Sequence, residues 1–353
     1  MFHDSALTIG LDVGDRYSSV CILDSASGEV LEESRVRTRP DAIERFFARQ
    51  PSCRVAMEVG THSPWLSRAV RAAGHDTIVA NAYQVRLVYG TRRKNDRIDV
   101  EKLARLARFD VKLLKPVQHR SSEAHAELAR LKARDALVRA RASLVLHVRG
   151  IVKTTGSRLP SGSVDAFHHR ARTHLPSDLT PALAPVLDSL EHLTNTIKRI
   201  EKELAALAKR NYPETQLLRQ VPGVGPLTSL AFILTLEDPT RFEKSREVGP
   251  YPGLTPGQRQ SGDRDVATGI TKQGGTFLRR LLVQCAHHIL HRGPDSDLKR
   301  AGVRLKERGA HSNKAVTAVA RKLAVLLHHL WTTGEVYEPL HHHARDERHA
   351  MTA

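Results

Sequence analysis

Four acidic residues in the first third of the chain have the type and spacing of metal ligands. They are Asp12, Glu58, Asp96 and Asp99. Mg²⁺ is bound in proteins through a few carboxylates together with water and substrate phosphates. Such ions can activate a water or hydroxyl and stabilise the leaving oxygen when a phosphodiester is cleaved. Singly, each acid could equally close a turn or favour the positive end of a helix. As a set, they predict a metal-dependent enzyme that cuts nucleic acid.

The charge of the chain agrees with a nucleic-acid substrate. Its 353 residues include 55 Lys or Arg and 38 Asp or Glu, a formal net charge of +17. The stretch from residue 86 to residue 120 is strongly basic and carries two of the four acids. A phosphate backbone would have to lie beside such a metal site. The predicted phosphate contacts here are Arg92, Arg93, Lys94 and Arg97.

A mixed α/β domain is predicted to position the four acids. Three β-rich runs separated by turns indicate an antiparallel meander, after which helix and strand alternate. The predicted strands are 7–14, 17–23, 30–36, 54–58 and 77–79, and the predicted helices are 41–49 and 62–73. Asp12 then lies in the first strand, and Glu58 ends a strand able to lie beside it. A helix that begins near Asn95 places Asp96 and Asp99 on one face of its first turn.

Long amphipathic helices are predicted in the middle of the chain. One runs from 121 to 152, and a second begins at about 186, after a Pro-marked stretch, and ends near 210. The apolar positions of the second helix repeat at spacings of three and four and are Leu187, Leu190, Leu193, Ile197, Ile200, Leu204 and Leu207. Such a seam is produced by a helical hairpin within the chain or by a coiled coil between chains. The predicted domains are 1–120 (α/β), 121–212 (helical, coiled coil), 213–340 (mainly helical) and 341–353 (a disordered tail).

Two features of the C-terminal part could contact phosphates. The run Pro222-Gly223-Val224-Gly225 lies between helical patterns, as in a helix-hairpin-helix motif, where Gly223 and Gly225 would let backbone N–H groups approach a phosphate. A plain tight turn between helices is the alternative. Further on, Ser261 precedes a glycine in a polar, basic loop and could be an exposed nucleophile. The cations predicted to hold a phosphate beside it are Lys272, Arg279 and Arg280. Helices at about 275–290, 295–307 and 313–331 are predicted to supply the core.

Cysteine usage and hydropathy restrict the class of protein further. The three cysteines, Cys21, Cys53 and Cys285, lie far apart and form neither a zinc spacing nor a disulfide framework, which favours a reducing cytoplasm. No run of eighteen apolar residues exists, so no membrane partner is expected. The twenty histidines include doublets but no HExxH motif, so no histidine metal site is expected.

Five of these motifs occur in an order that is similar to that of a known family. They are Gly-Leu-Asp12-Val-Gly, Ala-Met-Glu58, the segment 94–99, the run 222–226, and Gln-Ser261-Gly before the segment 270–274. Their order resembles the DEDD transposases of the insertion-sequence 110 family, from about residue 7 to residue 335. The resemblance implies a RuvC-like N-terminal domain of the RNase H fold, a coiled-coil insert and a C-terminal transposase domain with an essential serine. One departure is the run 249–252, Gly-Pro-Tyr-Pro, where relatives have a more helix-compatible segment.

The resemblance also implies how the parts cooperate. Asp12, Glu58, Asp96 and Asp99 would bind Mg²⁺ or Mn²⁺, and Ser261 would attack a DNA phosphate. The implied partners are donor DNA, target DNA and a structured noncoding guide RNA, the bridge RNA, whose loops pair with both DNAs. Homodimers that assemble into homotetramers are implied, with composite sites built from different protomers. The implied location is the bacterial cytoplasm, at the nucleoid.

Three other classes of protein remain open from the residues alone. A RuvC-like Holliday-junction endonuclease would use the same acids to hydrolyse DNA without a covalent serine intermediate. The turn Asp12-Val13-Gly14 also occurs in actin-like ATPases and sugar kinases, which need a second phosphate loop in a C-terminal α/β half. The C-terminal half of this chain is predicted to be helical instead. A non-catalytic binding module is the third class, and the four acids argue against it.

Overall fold

The computed structural model describes residues 5–83, 96–261 and 264–341. The chain divides into two compact units, Met1–Arg120 (unit 1) and Ser121–Ala353 (unit 2). Arg92, Arg93 and Lys94, predicted to contact phosphates, lie outside the described residues, as does the predicted tail from 342 onward. The subdivision predicted within unit 2, at residues 212 and 340, stays a prediction.

Unit 1 is built on a five-stranded mixed sheet. Its strands are β1 (Leu7–Val13), β2 (Tyr17–Asp24), β3 (Val30–Arg37), β4 (Arg54–Glu58) and β5 (Asp76–Ala80). They lie in the order β3-β2-β1-β4-β5; β1 to β3 are antiparallel neighbours, and β4 and β5 run parallel to β1. The charged, largely exposed strand β3 takes an edge, while the apolar run of β1 is buried at the centre. The mixed α/β arrangement predicted for this part is confirmed.

Helices cover both faces of this sheet. They are α1 (Pro40–Phe47), α2 (Ser63–Ala72) and α3 (Asp96–Phe109). One buried cluster joins α1 and α2 to residues such as Ile9 and Leu11 of β1. The opposite face is covered by α3, whose Leu103 and Ala107 pack with Ala56 of β4. Because strand side chains alternate between faces, these two clusters show which face of the sheet each side chain of β1 and β4 points to.

Two long helices form the first part of unit 2. They are α4 (Ser122–Thr154) and α6 (Thr180–Asn211), with the short helix α5 (Phe167–His174) between them. The start of α4 packs on the end of α6, and the end of α4 packs on the start of α6, so the pair is antiparallel. The apolar seam predicted for α6 is buried within the chain, at Leu187, Leu190, Ile197, Leu204 and Leu207. Of the two arrangements left open for this seam, the structure therefore has the intramolecular hairpin.

The start of α6 corrects the sequence prediction. The helix begins at Thr180 rather than near residue 186, and it includes Pro181 in its first turn and Pro185 in its interior. Proline is tolerated in the first turn because the N–H groups there have no intrahelical acceptor. Pro185 lies just beyond that turn and removes one backbone hydrogen bond. Packing of the buried Leu183 against α4 and α5 accompanies this loss.

The second part of unit 2 is a helical core with a β-hairpin attached. Its helices are α7 (Glu214–Leu218), α8 (Pro226–Leu236), α9 (Thr276–His291), α10 (Asp297–Glu307) and α11 (Ser312–Thr333). The predicted helical character of this part, including its last three helices, is confirmed. The segment around Ser261, predicted as a loop, instead forms two antiparallel strands, β6 (Pro256–Ser261) and β7 (Arg264–Ile270).

Candidate functional site

Gly10 brings α3 unusually close to the centre of the sheet. A Cβ at this position would overlap the backbone carbonyl oxygen of Val100 and would lie 3.0 Å from the Cβ of Ala104. Any larger residue would push α3 away from β1. The same contact shows that a side chain at position 10 would point to the face of the sheet covered by α3.

Asp12 and Glu58 share that face. Asp12 is two residues after Gly10 in β1 and therefore points to the same side. Gly10 pairs with Ala56 in the parallel β4, and Ala56 packs on α3, so Glu58 also points to this side. Asp12 is the penultimate residue of β1 and Glu58 is the last residue of β4, so both lie at the carboxyl ends of these parallel strands, and both are half-buried. The register of two neighbouring strands thus brings together acids that are 46 positions apart in the sequence.

The direction of α3 adds a third acid to this end of the sheet. Val100, near its start, lies over Gly10, whereas the carbonyl oxygen of Ala107, near its end, accepts a hydrogen bond of 3.2 Å from Nη1 of Arg54, the first residue of β4. The helix therefore starts at the carboxyl ends of β1 and β4 and runs back along them. Asp99 lies in its first turn. Asp96 is its first residue, and the Asp96 side chain lies outside the described atoms.

This end of the sheet has the donors for a divalent cation. Carboxylate oxygens are the ligands that Mg²⁺ and Mn²⁺ prefer. In the part of the chain that the structure describes, Asp12, Glu58 and Asp99 do not form a group of three ligand atoms all within 4.8 Å of one another. The donor set fits a divalent metal.

Arg97, in the first turn of α3, forms an ion pair with a residue of β3. Its Nε lies 2.6 Å from Oε2 of Glu33 in β3, and this hydrogen bond raises the pKa of the Arg97 guanidinium. The pairing was not predicted, because Glu33 belongs to the strand that the meander places two positions away from β1. To bind a phosphate, the Arg97 guanidinium must either break its contact with Glu33 or divide its N–H groups between Glu33 and the phosphate.

Ser261 lies in unit 2, at the end of β6. It pairs with Arg264 of β7, and residues 262 and 263 connect the two strands. A two-residue connection of sequence Gly-Asp between polar, partly β-branched runs is a recognised hairpin signal. The sequence therefore contained the information for this hairpin, although the composition of the segment favoured a loop.

Two glycines hold the base of this hairpin. Gly253 has φ +71, and a Cβ there would overlap the carbonyl oxygen of Gln273 and lie 2.7 Å from its N atom. Gly274 has φ +96, and a Cβ there would overlap the carbonyl oxygen of Tyr251. The segments that enter and leave the hairpin therefore pass backbone against backbone. Both positions require glycine for its conformation and for its size.

The predicted cations around Ser261 have separate roles in the structure. Lys272 adopts a left-handed conformation, φ +56, and its N–H donates to the carbonyl oxygen of Gly253. Nη1 of Arg279 donates to the carbonyl oxygen of Pro252 at 2.8 Å, so this side chain supports the base of the hairpin. Arg280 instead forms an ion pair of 2.6 Å with Asp135 on α4. The structure thus gathers Lys272 and Arg279 at the hairpin base and directs Arg280 to the long helix.

The glycine turn between α7 and α8 contains two different glycines. Gly223 has φ +95 and faces α9, where a Cβ would lie 3.0 Å from the His288 ring. Close packing therefore accounts for glycine at this position. Gly225 is the N-cap of α8, and no described atom lies within 4 Å of the place where its Cβ would be. Of the two, Gly225 has the open space beside a helix start that an approaching phosphate needs.

Sequence reasoning missed one group of potential ligands in unit 2. His168, His169 and Glu191 have ligand atoms that all lie within 4.8 Å of one another. The two histidines start α5, whereas Glu191 comes from α6. No short motif contains all three, so only the packing of α5 on α6 could bring them to notice.

Comparison with known proteins assigns the chain to a family. An IS110-type DEDD family model, described as a transposase, matches residues 9–156, and one described as "Transposase IS116/IS110/IS902 family" matches residues 215–300. The transposase for insertion sequence element IS1111A of Coxiella burnetii is 30% identical, over 93% of this chain and 90% of that protein. The chain belongs to the IS110-type transposases. It is therefore an enzyme that acts on DNA, which decides against the ATPase, kinase and non-catalytic alternatives.

Further relatives carry the same description. The transposase for IS1328 of Yersinia enterocolitica is 28% identical, over 93% of this chain and 98% of its own length. A probable family 20 transposase of Pseudomonas aeruginosa is 27% identical, over 80% of this chain and 83% of its own length. Within the described residues, every helix is too short or too polar to span a bilayer.

Proposed function

We propose that this transposase is a Mg²⁺-dependent, RNA-guided DNA recombinase that moves its own insertion sequence. The observation that carries the proposal is the shared position of three acids. Asp12 and Glu58 end neighbouring parallel strands on one face of the sheet, and Asp99 lies in the first turn of the helix on that face. Sheet register and helix direction produce this arrangement from distant parts of the sequence.

The fold of unit 1 supports a RuvC-like, RNase H-type domain as the finer assignment. An antiparallel meander followed by parallel strands and covering helices is the arrangement that the resemblance implied. In that assignment Asp12, Glu58, Asp96 and Asp99 bind Mg²⁺ or Mn²⁺. The bound metal would activate the attacking oxygen and neutralise charge on the scissile phosphate. The acids would hold the cation, and the tight contact at Gly10 fixes α3 relative to β1.

Ser261 is proposed as the nucleophile. Its Oγ forms a bond to a DNA phosphorus atom while the bond from phosphorus to a sugar oxygen breaks. The hydroxyl proton is lost, and the leaving oxygen takes up a proton. The product is a phosphoserine link that the freed strand end of a partner DNA can later attack, which restores the serine. A position at the end of a strand, beside a two-residue connection, suits an exposed nucleophile.

The acids belong to unit 1 and the serine belongs to unit 2. In the proposed reaction the acids and the serine act on the same phosphate. The family resemblance supports composite sites from different protomers of a homotetramer. Donor and target DNA are the proposed substrates, and a structured noncoding RNA is the proposed guide. Arg92, Arg93, Lys94, Arg97 and Gly225 are proposed contacts to nucleic-acid phosphates; Arg279 and Lys272 are proposed to support the serine hairpin and to bind phosphate from its base.

The experiment uses the full-length protein with the RNA that copurifies with it. Labelled donor and target DNA are added, and covalent protein–DNA adducts are counted after denaturation. We expect Ser261→Ala to abolish adducts and recombination, and Asp12→Asn to abolish cleavage while DNA binding is retained. Asp15→Asn is the matched control, because Asp15 lies three residues beyond Asp12 and is exposed.

The outcomes separate the parts of the proposal. Adducts that persist in Ser261→Ala would overturn the serine assignment. Cleavage by wild-type protein without any adduct would support the junction-endonuclease alternative. If no specific RNA copurifies and recombination proceeds after RNase treatment, the guide assignment is wrong.

A further inference from the structure

We propose that His168, His169 and Glu191 form a zinc site that fastens α5 to α6 in unit 2. This site is separate from the carboxylates of unit 1 and does not depend on the proposed recombination chemistry. Its donor set is two imidazoles and one carboxylate, a combination that binds Zn²⁺ in proteins and leaves one position for water. The same ligands suit Zn²⁺ better than Mg²⁺, which prefers oxygen.

The spacing of the three side chains suits a tetrahedral ion. All three ligand atoms lie within 4.8 Å of one another. Ligands at zinc distances of ~2.0–2.1 Å lie about 3.3 Å apart, so each pair has to close by roughly 1.5 Å at most. His169 is exposed and Glu191 is half-buried, so both can make this movement by side-chain rotation. The His168 and His169 rings already lie with centroids 4.0 Å apart.

His168 carries the strongest sign of an absent ligand. Its side chain is 4% exposed, and its Nδ1 has no hydrogen-bond partner among the residues that the structure describes. A buried polar atom without a partner is costly, and such atoms are uncommon in folded proteins. Burial lowers the pKa of His168, the charges of His169, Arg172 and Lys198 lower it further, and the charge of Glu191 acts in the opposite direction.

Glu191 is held in place by Arg172. One of its oxygens, Oε2, accepts a hydrogen bond of 2.9 Å from Nη1 of Arg172, and Nη2 of the same arginine donates to Asp188 at 2.5 Å. Glu191 retains a second oxygen for a cation. Hydrogen bonds to ligating carboxylates are a regular feature of metal sites, because they fix the orientation of the ligand. Arg172 is a nearby positive charge that opposes the ion, and its bond to Asp188 draws part of that charge away.

The consequence would be a fixed position for α5. This eight-residue helix packs on α6 through Phe167 and Ala171, in a cluster with Leu187 and Leu190. Helices this short are marginal by themselves and depend on tertiary contacts. A metal bound by the start of α5 and by Glu191 would add a cross-link between the two helices. Unit 2 would therefore be more resistant to unfolding when zinc is bound.

The test is metal binding by the full-length, untagged protein after treatment with a chelator. Zn²⁺ is titrated against a chromophoric chelator, and Co²⁺ is added separately to look for the visible absorption of a tetrahedral site. The variants are His169→Ala and Glu191→Gln, which change an exposed and a half-buried side chain and so spare the core. The control is the double variant His287→Ala, His291→Ala, since these two rings stack at 6.1 Å on α9 and are exposed.

We expect wild type and control to bind one more Zn²⁺ than the two variants, or to bind it at least tenfold more tightly. The tetrahedral Co²⁺ spectrum should be absent from His169→Ala and Glu191→Gln, and zinc should raise the Tm of wild type and control alone. Binding to histidines that none of these substitutions changes is common to all four proteins and cancels in this comparison. Equal zinc stoichiometry and spectra in wild type and both variants, or no zinc binding by wild type, would overturn the proposal.

Discussion

Asp12 and Glu58 end strands that are paired on both sides, whereas Ser261 ends one strand of a two-stranded sheet. The acids are set by the register of the core of unit 1 and by the helix that packs on it. The serine is set by a hairpin whose base is held through Gly253 and Gly274. One half of the proposed active site therefore depends on the packing of a core, and the other half depends on a single crossing of backbone segments.

The largest effect is expected for Gly10→Val. The new side chain would overlap the Val100 carbonyl oxygen and force α3 away from β1. Overpacking costs about 1–3 kcal/mol of stability, and a displacement of about 1 Å at a reacting centre costs on the order of 10²-fold in rate. Cleavage assays and chemical denaturation of unit 1 measure the two effects. Cleavage at the wild-type rate would mean that the position of α3 does not matter to the acids.

The same comparison explains what sequence reasoning could find. The meander and the parallel strand β4 follow from apolar runs and turn residues, so the place of Asp12 beside Glu58 could be anticipated. The close approach of α3 to β1 could not be anticipated, because it depends on Gly10 having no Cβ where it contacts Val100. The sequence predicts Ser261 as a candidate nucleophile. It does not predict the hairpin, because polar strands lack the apolar alternation that marks a strand.

Long-range contacts were the other limit. The start of α6 was placed too late, because Pro185 is an unfavourable helix residue that tertiary packing overrides. The pairing of Arg97 with Glu33 and the group around His168 both join residues from separate elements. No local pattern contains both partners of such a contact.

A smaller effect, confined to unit 2, is expected for Gly253→Ala. The substitution strains a residue with φ +71 and places a methyl group on the Gln273 backbone. Strain of this kind costs about 1–3 kcal/mol, and the base of the hairpin must open. Covalent adducts should fall at least tenfold, while the unfolding of unit 1 stays unchanged. Unit-specific unfolding can be followed by hydrogen exchange. Normal adduct formation would show that the crossing at Gly253 does not position Ser261.

Alkaline pH should have a smaller effect on both units, because each contains a buried thiol whose pKa is raised. Burial raises the pKa of the Cys21 thiol to about 11 and that of Cys53 to about 12, from an ordinary value of 9.0. The folded state therefore favours the neutral thiols, and this stabilisation is complete below pH 9 and decreases as pH rises towards 11–12. We expect the denaturation midpoint of unit 1 to become lower when the pH is raised from 8 to 10.5.

Thiol labelling with mass spectrometry measures the same property. Buried neutral thiols react slowly, so Cys21 and Cys53 should be labelled at pH 8 at the rate at which unit 1 opens. Cys285, whose pKa burial also raises, reports the opening of unit 2. Rapid labelling of Cys53 in the folded protein would contradict the burial of the sheet core.

The smallest effect, and the control for the glycine substitutions, is Gly150→Ala. Gly150 is an exposed residue inside α4, and no described atom lies within 4 Å of the place where its Cβ would be. Alanine should stabilise the helix by about 0.5–1 kcal/mol and raise the Tm of unit 2 by roughly 1–4 °C, with adduct formation unchanged. Because this glycine is free of the crossing at Gly253, a loss of adducts here would mean that the serine responds to any change in unit 2 rather than to the base of its hairpin.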